Sequence, residues 1–301
     1  MISLLVFALA AAPVQVAHRR VMTDDGAALA LYRYSGAGQR PGAPPVLVIA
    51  DAGFGRALFD PLARRLASGG REIYVAELRG QGAADRGFSL RAAIPLDLPA
   101  VFRAIGATEI DLVAHGYLGA LALAASTREL RVRRVVALNT PMTPGAPTQL
   151  ALRFLEDGGR FSTLASSPEG FDVFEQLFAM RAEGDRRAFA GFAALGARDL
   201  GRPMAAELAA WMTLGDLPLD DGTTVLERLR AFDRPTLLLL GLADGWAPPE
   251  ACVTLREQSR AKVEVRLFSR VLEGDDFAHV SLLLSERAPR FVFRAIEEYL
   301  R

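Results

Sequence analysis

The sequence predicts an α/β fold: a mostly parallel sheet opened by an antiparallel hairpin, with helices on both faces and a helical segment inserted late. Three observations carry this reading. Short runs of β-branched and aliphatic residues alternate with stretches at helical spacing, the pattern of a parallel sheet with right-handed crossovers. The run Val46 to Ala50 is apolar throughout, as in a strand buried on both faces. From about Pro144 to Leu229 the alternation stops and only helical spacing remains.

Taken in order, Val14 to Met22 and Ala28 to Tyr34 flank the turn signal Asp24-Asp25-Gly26 and read as the hairpin. Val46 to Ala50, Glu72 to Ala76, Ile110 to Ala114 and Val132 to Leu138 read as strands. Helices over Arg56 to Ser68, Asp97 to Ile105 and Leu118 to Ser126 lie between them. In the later stretch Leu150, Phe154 and Leu155, then Phe174, Leu177 and Phe178, group on helix faces. The sheet resumes with Pro235 to Leu240 and Val263 to Phe268, separated by a helix from Pro249 and followed by one from Ala288 to Leu300. The expected organisation is a core of residues 14–142 and 230–301 with a helical cap over 143–229. A chain of 301 residues can bury one such core.

Composition narrows the classes of partner. Lys plus Arg equals Asp plus Glu at 35 each, which gives no electrostatic reason to expect nucleic acid or an anionic membrane. A small or neutral ligand fits better. Lys262 is the one lysine, a bias without functional content. The lone Cys252 allows no internal disulfide, and no Cys and His cluster has metal-ligand spacing, so no metal or other cofactor is expected. The apolar run Met1 to Ala12 is too short to span a bilayer and ends before Pro13. It reads equally as a signal-peptide core, with a small-residue cleavage site at Ala8-Leu9-Ala10, or as a tail or strand packed on the domain. The first reading implies export, the second a cytoplasmic protein.

Several motifs resemble the α/β-hydrolase superfamily, its lipases and esterases especially. Leu78-Arg-Gly-Gln-Gly82 looks like that family's loop of arginine and paired glycines, and Leu112-Val-Ala-His-Gly-Tyr-Leu-Gly119 like its nucleophile elbow. Gly241-Leu-Ala-Asp244, followed by Pro248, looks like the loop bearing its catalytic acid, and Phe277-Ala-His279 falls where it places its histidine. The order of elbow, acid and histidine is the family's. The resemblance therefore implies Asp244 as acid, His279 as base, and the backbone N–H groups of Ala52 and Tyr117 as oxyanion-hole donors.

The elbow departs from the pattern at its centre. Its five positions read Ala114-His115-Gly116-Tyr117-Leu118, so glycine stands in the nucleophile's place and both flanking glycines of the pattern are gone. Glycine keeps the sharp turn without strain but has no atom with which to attack a carbonyl. After the first parallel strand the family carries His-Gly; this chain carries Ala50-Asp51, which sets a negative charge where an oxyanion would form. Tyr117 and Ser281 are the nearest hydroxyls and neither stands where the fold aims its attack.

Three functions follow as expectations. The first is a lipase- or esterase-derived protein that has lost serine catalysis and binds a small apolar ligand or a protein partner. The second is an active ester or amide hydrolase using a His279-activated water or a displaced nucleophile. The third is an interaction protein without a ligand. A smaller share goes to a dinucleotide-binding oxidoreductase, because Gly53-x-Gly55 between a strand and a helix, with Glu77 ending the next strand, imitates that layout without its third glycine.

Overall fold

In a computed structural model, described over residues 13–81, 84, 89–145, 147–164, 168–178 and 197–301, the strands form one eight-stranded sheet. The apolar run 1–12 lies outside the described residues. In chain order the strands are β1 (Gln15–Met22), β2 (Ala28–Ser35), β3 (Val46–Ile49), β4 (Ile73–Glu77), β5 (Ile110–His115), β6 (Val132–Leu138), β7 (Thr236–Gly241) and β8 (Val263–Phe268). Their spatial order is β1-β2-β4-β3-β5-β6-β7-β8. The first two strands pair antiparallel, β2 pairs antiparallel with β4, and the other pairs are parallel. This is the predicted α/β sheet with its N-terminal hairpin.

Helices α1 (Asp60–Ser68), α2 (Asp97–Ile105) and α3 (Gly116–Ser126) connect the early strands, and a 3-10 turn at Arg56–Leu58 precedes the first of them. Every residue of α3 is buried. Its Ala/Leu composition explains this, because a helix apolar all round has no polar face to turn to water. Between β6 and β7 run α4 (Gln149–Glu156), α5 (Phe161–Leu164), α6 (Pro168–Phe178), α7 (Arg202–Leu214) and α8 (Val225–Ala231). After β7 come α9 (Pro249–Gln258), α10 (Arg270–Glu273), α11 (Ser281–Leu284) and α12 (Val292–Tyr299). The last helix begins four residues later than its periodicity predicts, since Ala288 to Phe291 form turns instead.

The strand order sets the geometry of the site. The chain steps from β3 outward to β4 and then returns to place β5 on the other side of β3, so the order reverses there. Loops leaving the C-terminal ends of strands diverge at such a switch point, and chemistry collects between them. In the register of β3 and β5, Ile49 lies opposite Ala114. Two residues on, that alignment brings Asp51 alongside Gly116.

At the opposite end of the sheet a buried ion cluster ties the end of the last helix to the loop before β3. Asp111, fully buried on β5, accepts from Arg71 at 2.7 Å and Arg133 at 2.8 Å, with Arg134 at 3.4 Å. Arg71 also donates to the Pro44 and Leu300 carbonyls, and Arg134 to that of Leu300. Removing the carboxylate leaves a buried guanidinium uncompensated. Asp111→Ala is therefore expected to cost about 3–5 kcal/mol of stability, read as a fall in denaturant midpoint at unchanged slope.

Candidate functional site

The residues that the sequence singles out converge at the switch point. Gly116 opens α3 immediately after β5 with φ of 62°, the left-handed conformation that glycine adopts without penalty. A Cβ there would meet the Asp51 carboxylate, with its Cγ and Oδ2 both at 2.1 Å. The room into which a nucleophile's side chain would project is thus filled by Asp51. The elbow stays tight despite Leu118, because Gly119 brings α3 against the sheet: a Cβ on it would lie 3.0 Å from the Ala114 carbonyl carbon.

Each oxygen of the Asp51 carboxylate is held separately. Oδ1 accepts from the backbone N–H of Ala52 at 2.8 Å and of Leu118 at 3.0 Å. On the elbow side the donor that reaches it is thus Leu118, where sequence reasoning put Tyr117. Oδ2 accepts from His279 Nε2 at 3.1 Å and from the indole N–H of Trp246 at 3.2 Å. His279 Nδ1 in turn donates to Asp244 Oδ2 at 2.8 Å. Asp244 Oδ1 accepts the backbone N–H groups of Trp246 and Ala247 at 2.8 and 2.9 Å. The imidazole is therefore bridged between two carboxylates, and Asp51, His115 and His279 are wholly buried.

The loops are pinned by residues that sequence reasoning did not single out. Gln81 Nε2 donates to the carbonyls of Ala50, Asp51 and Phe54 at 2.8 to 3.0 Å, while its Oε1 accepts from Leu78 N–H at 2.8 Å. Within the same motif Arg79 bonds Asp97 at 2.7 Å and Asp25 at 2.9 Å. Asn139, at φ of 40°, accepts from Gly241 N–H at 2.9 Å and fastens the end of β6 to that of β7. Asn tolerates this left-handed conformation better than most residues. The prior signal for Gln81 and Arg79 was their place in the Leu78–Gly82 motif, and Asn139 had none. Ser281 accepts from Ala278 N–H at 2.7 Å, a structural bond that shapes the His279 loop. Tyr117 is buried with its hydroxyl 3.3 Å from the Trp246 carbonyl, and burial followed by the Asp51 charge pushes its phenol well above the ordinary value.

The electrostatics follow from this packing. Burial works to lower the pKa of His279, but the charge and hydrogen bond of Asp244, then those of Asp51, overcome it and raise the pKa to about 9. Burial works to raise Asp51, and the hydrogen bond and charge of His279 hold it below the ordinary carboxylate range. His115 stacks on His279 with ring centroids 4.3 Å apart and donates its Nε2–H to the His279 carbonyl at 3.0 Å. Burial, then the neighbouring imidazolium, lowers its pKa to about 3, so it stays neutral. The site is an imidazolium between two carboxylates.

An aromatic layer closes it. Phe54 and Phe178 lie over His279 with centroids at 5.9 and 5.5 Å, and Phe178 also packs on Trp246 at 5.1 Å. Phe161 and Phe174 pack on Phe54 and Phe178, and Phe154 packs on Phe161. Phe161 covers the Gly53-containing loop, the segment that imitates a dinucleotide fingerprint, and Asp51 fills the turn beside it. A separate groove of about 550 Å³, lined among others by Ile94, Pro99, Phe102, Ala125 and Leu219, opens near the far end of α3. Nine residues of helix separate Ala125 from Gly116, about 13 Å. Among the described residues no His, Cys, Asp and Glu cluster has the form of a metal site, and no helix is long and apolar enough to cross a membrane.

With this geometry established, comparison with known proteins identifies the lineage. The model of the alpha/beta hydrolase family matches residues 11–295. The chain belongs to that family. Solved structures share the fold: an esterase from Exiguobacterium antarcticum (TM-score 0.68, 16% identity, 94% of this chain and 99% of that one) and an enol-lactonase from Burkholderia xenovorans (0.69, 16%, 94% and 99%). A thermophilic esterase from Thermogutta terrifontis matches at TM-score 0.62 and 21% identity over 95% of this chain and 98% of its own. No curated protein matches the chain.

The raised pKa of His279 fixes a pH dependence. Its stabilisation is complete below the unfolded value of 6.5 and is lost as pH climbs through about 9; that of Asp51 holds above 3.8 and fades on acidification. The melting temperature is expected to fall between pH 6.5 and 9. Imidazole NMR should find one histidine protonated past pH 8, and Asp51→Asn, which removes a negative charge, should move its midpoint down.

Proposed function

We propose that this α/β-hydrolase family member performs no serine-type acyl transfer, because Asp51 occupies the place of its nucleophile and holds its base. The observation that carries the reading is the position of the Asp51 carboxylate against Gly116, inside the volume of a side chain at that position. A carboxylate on two backbone N–H groups with one oxygen on the histidine imitates the acid product of ester hydrolysis. Asp51 thus acts as a tethered product, in a chain whose ancestry fits an ester-like substrate. Gly116 supplies no attacking atom, Asp244 and His279 are the retained acid and base positions, and the donors at Ala52 and Leu118 are committed to Asp51.

Of the two binding roles, a protein partner is better supported than a small apolar ligand. The space beneath α4 to α6, part of the 143–229 segment that we propose as the cap, is taken up by Phe154, Phe161, Phe174 and Phe178, all buried. The second reading, a hydrolase using a His279-activated water, needs a neutral imidazole with a free Nε2. The two carboxylates keep this imidazole protonated, and Asp51 engages its Nε2. A dinucleotide role has no support beyond the two glycines.

The test uses the full chain with a fluorophosphonate probe and short-chain aryl esters. Neither labelling nor turnover above background is expected; labelling, or turnover abolished by His279→Ala, contradicts the proposal. Gly116→Ser alone should stay inactive and lose about 1–3 kcal/mol of stability, since its Cβ collides with Asp51. Combining it with Asp51→Gly should raise ester turnover at least about 100-fold over the single variant, by returning nucleophile and oxyanion site together.

A further inference from the structure

The two edges of the sheet are unlike. β1 carries Arg19 and Arg20 with no acid among its residues, so two copies meeting there would bring like charges together, the ordinary protection of an edge strand. The edge at β8 has no such guard. Its register with β7 runs unbroken from Val263 to Phe268, so no bulge turns it aside, and among the described residues no strand pairs with its outer side. Large apolar side chains are exposed beside it: Leu242, Leu267, Val271 and Leu272 are between 43% and 93% accessible.

The backbone determines which residues face outward. Thr236 N–H donates to the Lys262 carbonyl and Leu242 N–H to that of Phe268, both at 3.0 Å, so the even-numbered residues of β8 direct their polar groups to β7. By alternation Val263, Val265 and Leu267 direct theirs to the open side. An antiparallel partner strand must therefore pair odd residues with odd. For a second copy related by a two-fold axis, the registers that pair at least three residues of β8 are centred on Glu264, Val265, Arg266 or Leu267, and the last sets Arg266 opposite Phe268. The first sets Glu264 against itself and the third sets Arg266 against itself. The register centred on Val265 places Glu264 opposite Arg266 of the other copy twice over and Val263 opposite Leu267.

We infer that β8 is a self-association edge, through which two copies of this chain join antiparallel about Val265 into one continuous sheet. The strand Val-Glu-Val-Arg-Leu is complementary to itself in charge and in apolar character only in that register. Glu264 and Arg266, which pair within one copy at 3.0 Å, then form a four-charge cluster across the axis. This inference stands on the edge alone and does not depend on the catalytic state of the buried site.

Sedimentation velocity on the full chain, from low to high micromolar concentration, tests it. The wild type is expected to move reversibly to twice the chain's mass. Glu264→Arg and Arg266→Glu should each weaken association about tenfold, by setting like charges opposite one another. The double exchange Glu264→Arg/Arg266→Glu should recover it. Mixing the two single variants should also yield a heterodimer, since every facing pair is then opposite in charge, an outcome that misfolding does not produce. A wild type that stays monomeric, single variants that associate as the wild type does, or a double variant and a mixture that both remain monomeric would overturn the inference.

Discussion

The bridge from Asp51 through His279 to Asp244 organises everything around it. Three ionisable groups removed from water carry a desolvation penalty of several kcal/mol each, and their mutual attraction offsets it only when the remaining hydrogen-bonding capacity is met. Here it is met by main-chain donors at Ala52, Leu118, Trp246 and Ala247 and by the Trp246 indole. Those donors come from the loops after β3 and β7 and from the first turn of α3, so the ionic bridge requires three segments in one arrangement. Gln81 and Asn139 brace the same loops from behind. The aromatic layer keeps water out and so strengthens each charge–charge contact beneath it.

Topology explains why an aspartate on one strand can answer a glycine on another. Adjacent parallel strands deliver residues of equal register to the same edge of the sheet, and β3 and β5 are adjacent only because the strand order reverses at β3. A side chain at position 116 and a carboxylate at position 51 would compete for one volume, and glycine resolves the competition in favour of the carboxylate. The departures at the two positions are therefore one structural change with two parts. Under the proposed function, a hydrolase site becomes a sealed ion bridge in which the acid and base positions and the backbone donors stay in use.

Much of the fold could be read from the sequence because its signals are local. Val46–Ile49 and Leu237–Leu240 are uninterrupted apolar runs, Ile110–Ala114 is apolar but for Asp111, and α3 is helical and apolar on every side. The resemblance supplied Gly116, Asp244 and His279 as a set. The role of Asp51 was only half legible: its charge beside the oxyanion position was apparent, but its bond to His279 requires knowing that β3 lies against β5. Trp246, Asn139 and His115 had no signal, being single loop or strand-end residues whose partners lie far away in sequence. Phe161 and Phe178 are indistinguishable from ordinary core residues until the helices that bear them are seated over the site. Gly119 shows the limit in the other direction, since Leu118 departs from the elbow pattern while the neighbouring glycine keeps α3 close to the sheet.

A crystal structure at a resolution that separates the two oxygens of the Asp51 carboxylate is the decisive measurement. Asp51 Oδ2 is expected about 3 Å from His279 Nε2 and Oδ1 on the Ala52 and Leu118 N–H groups, with no water between Gly116 and the imidazole. Asp51 turned away, with an ordered water or a bound molecule between Gly116 and His279, would contradict the sealed bridge.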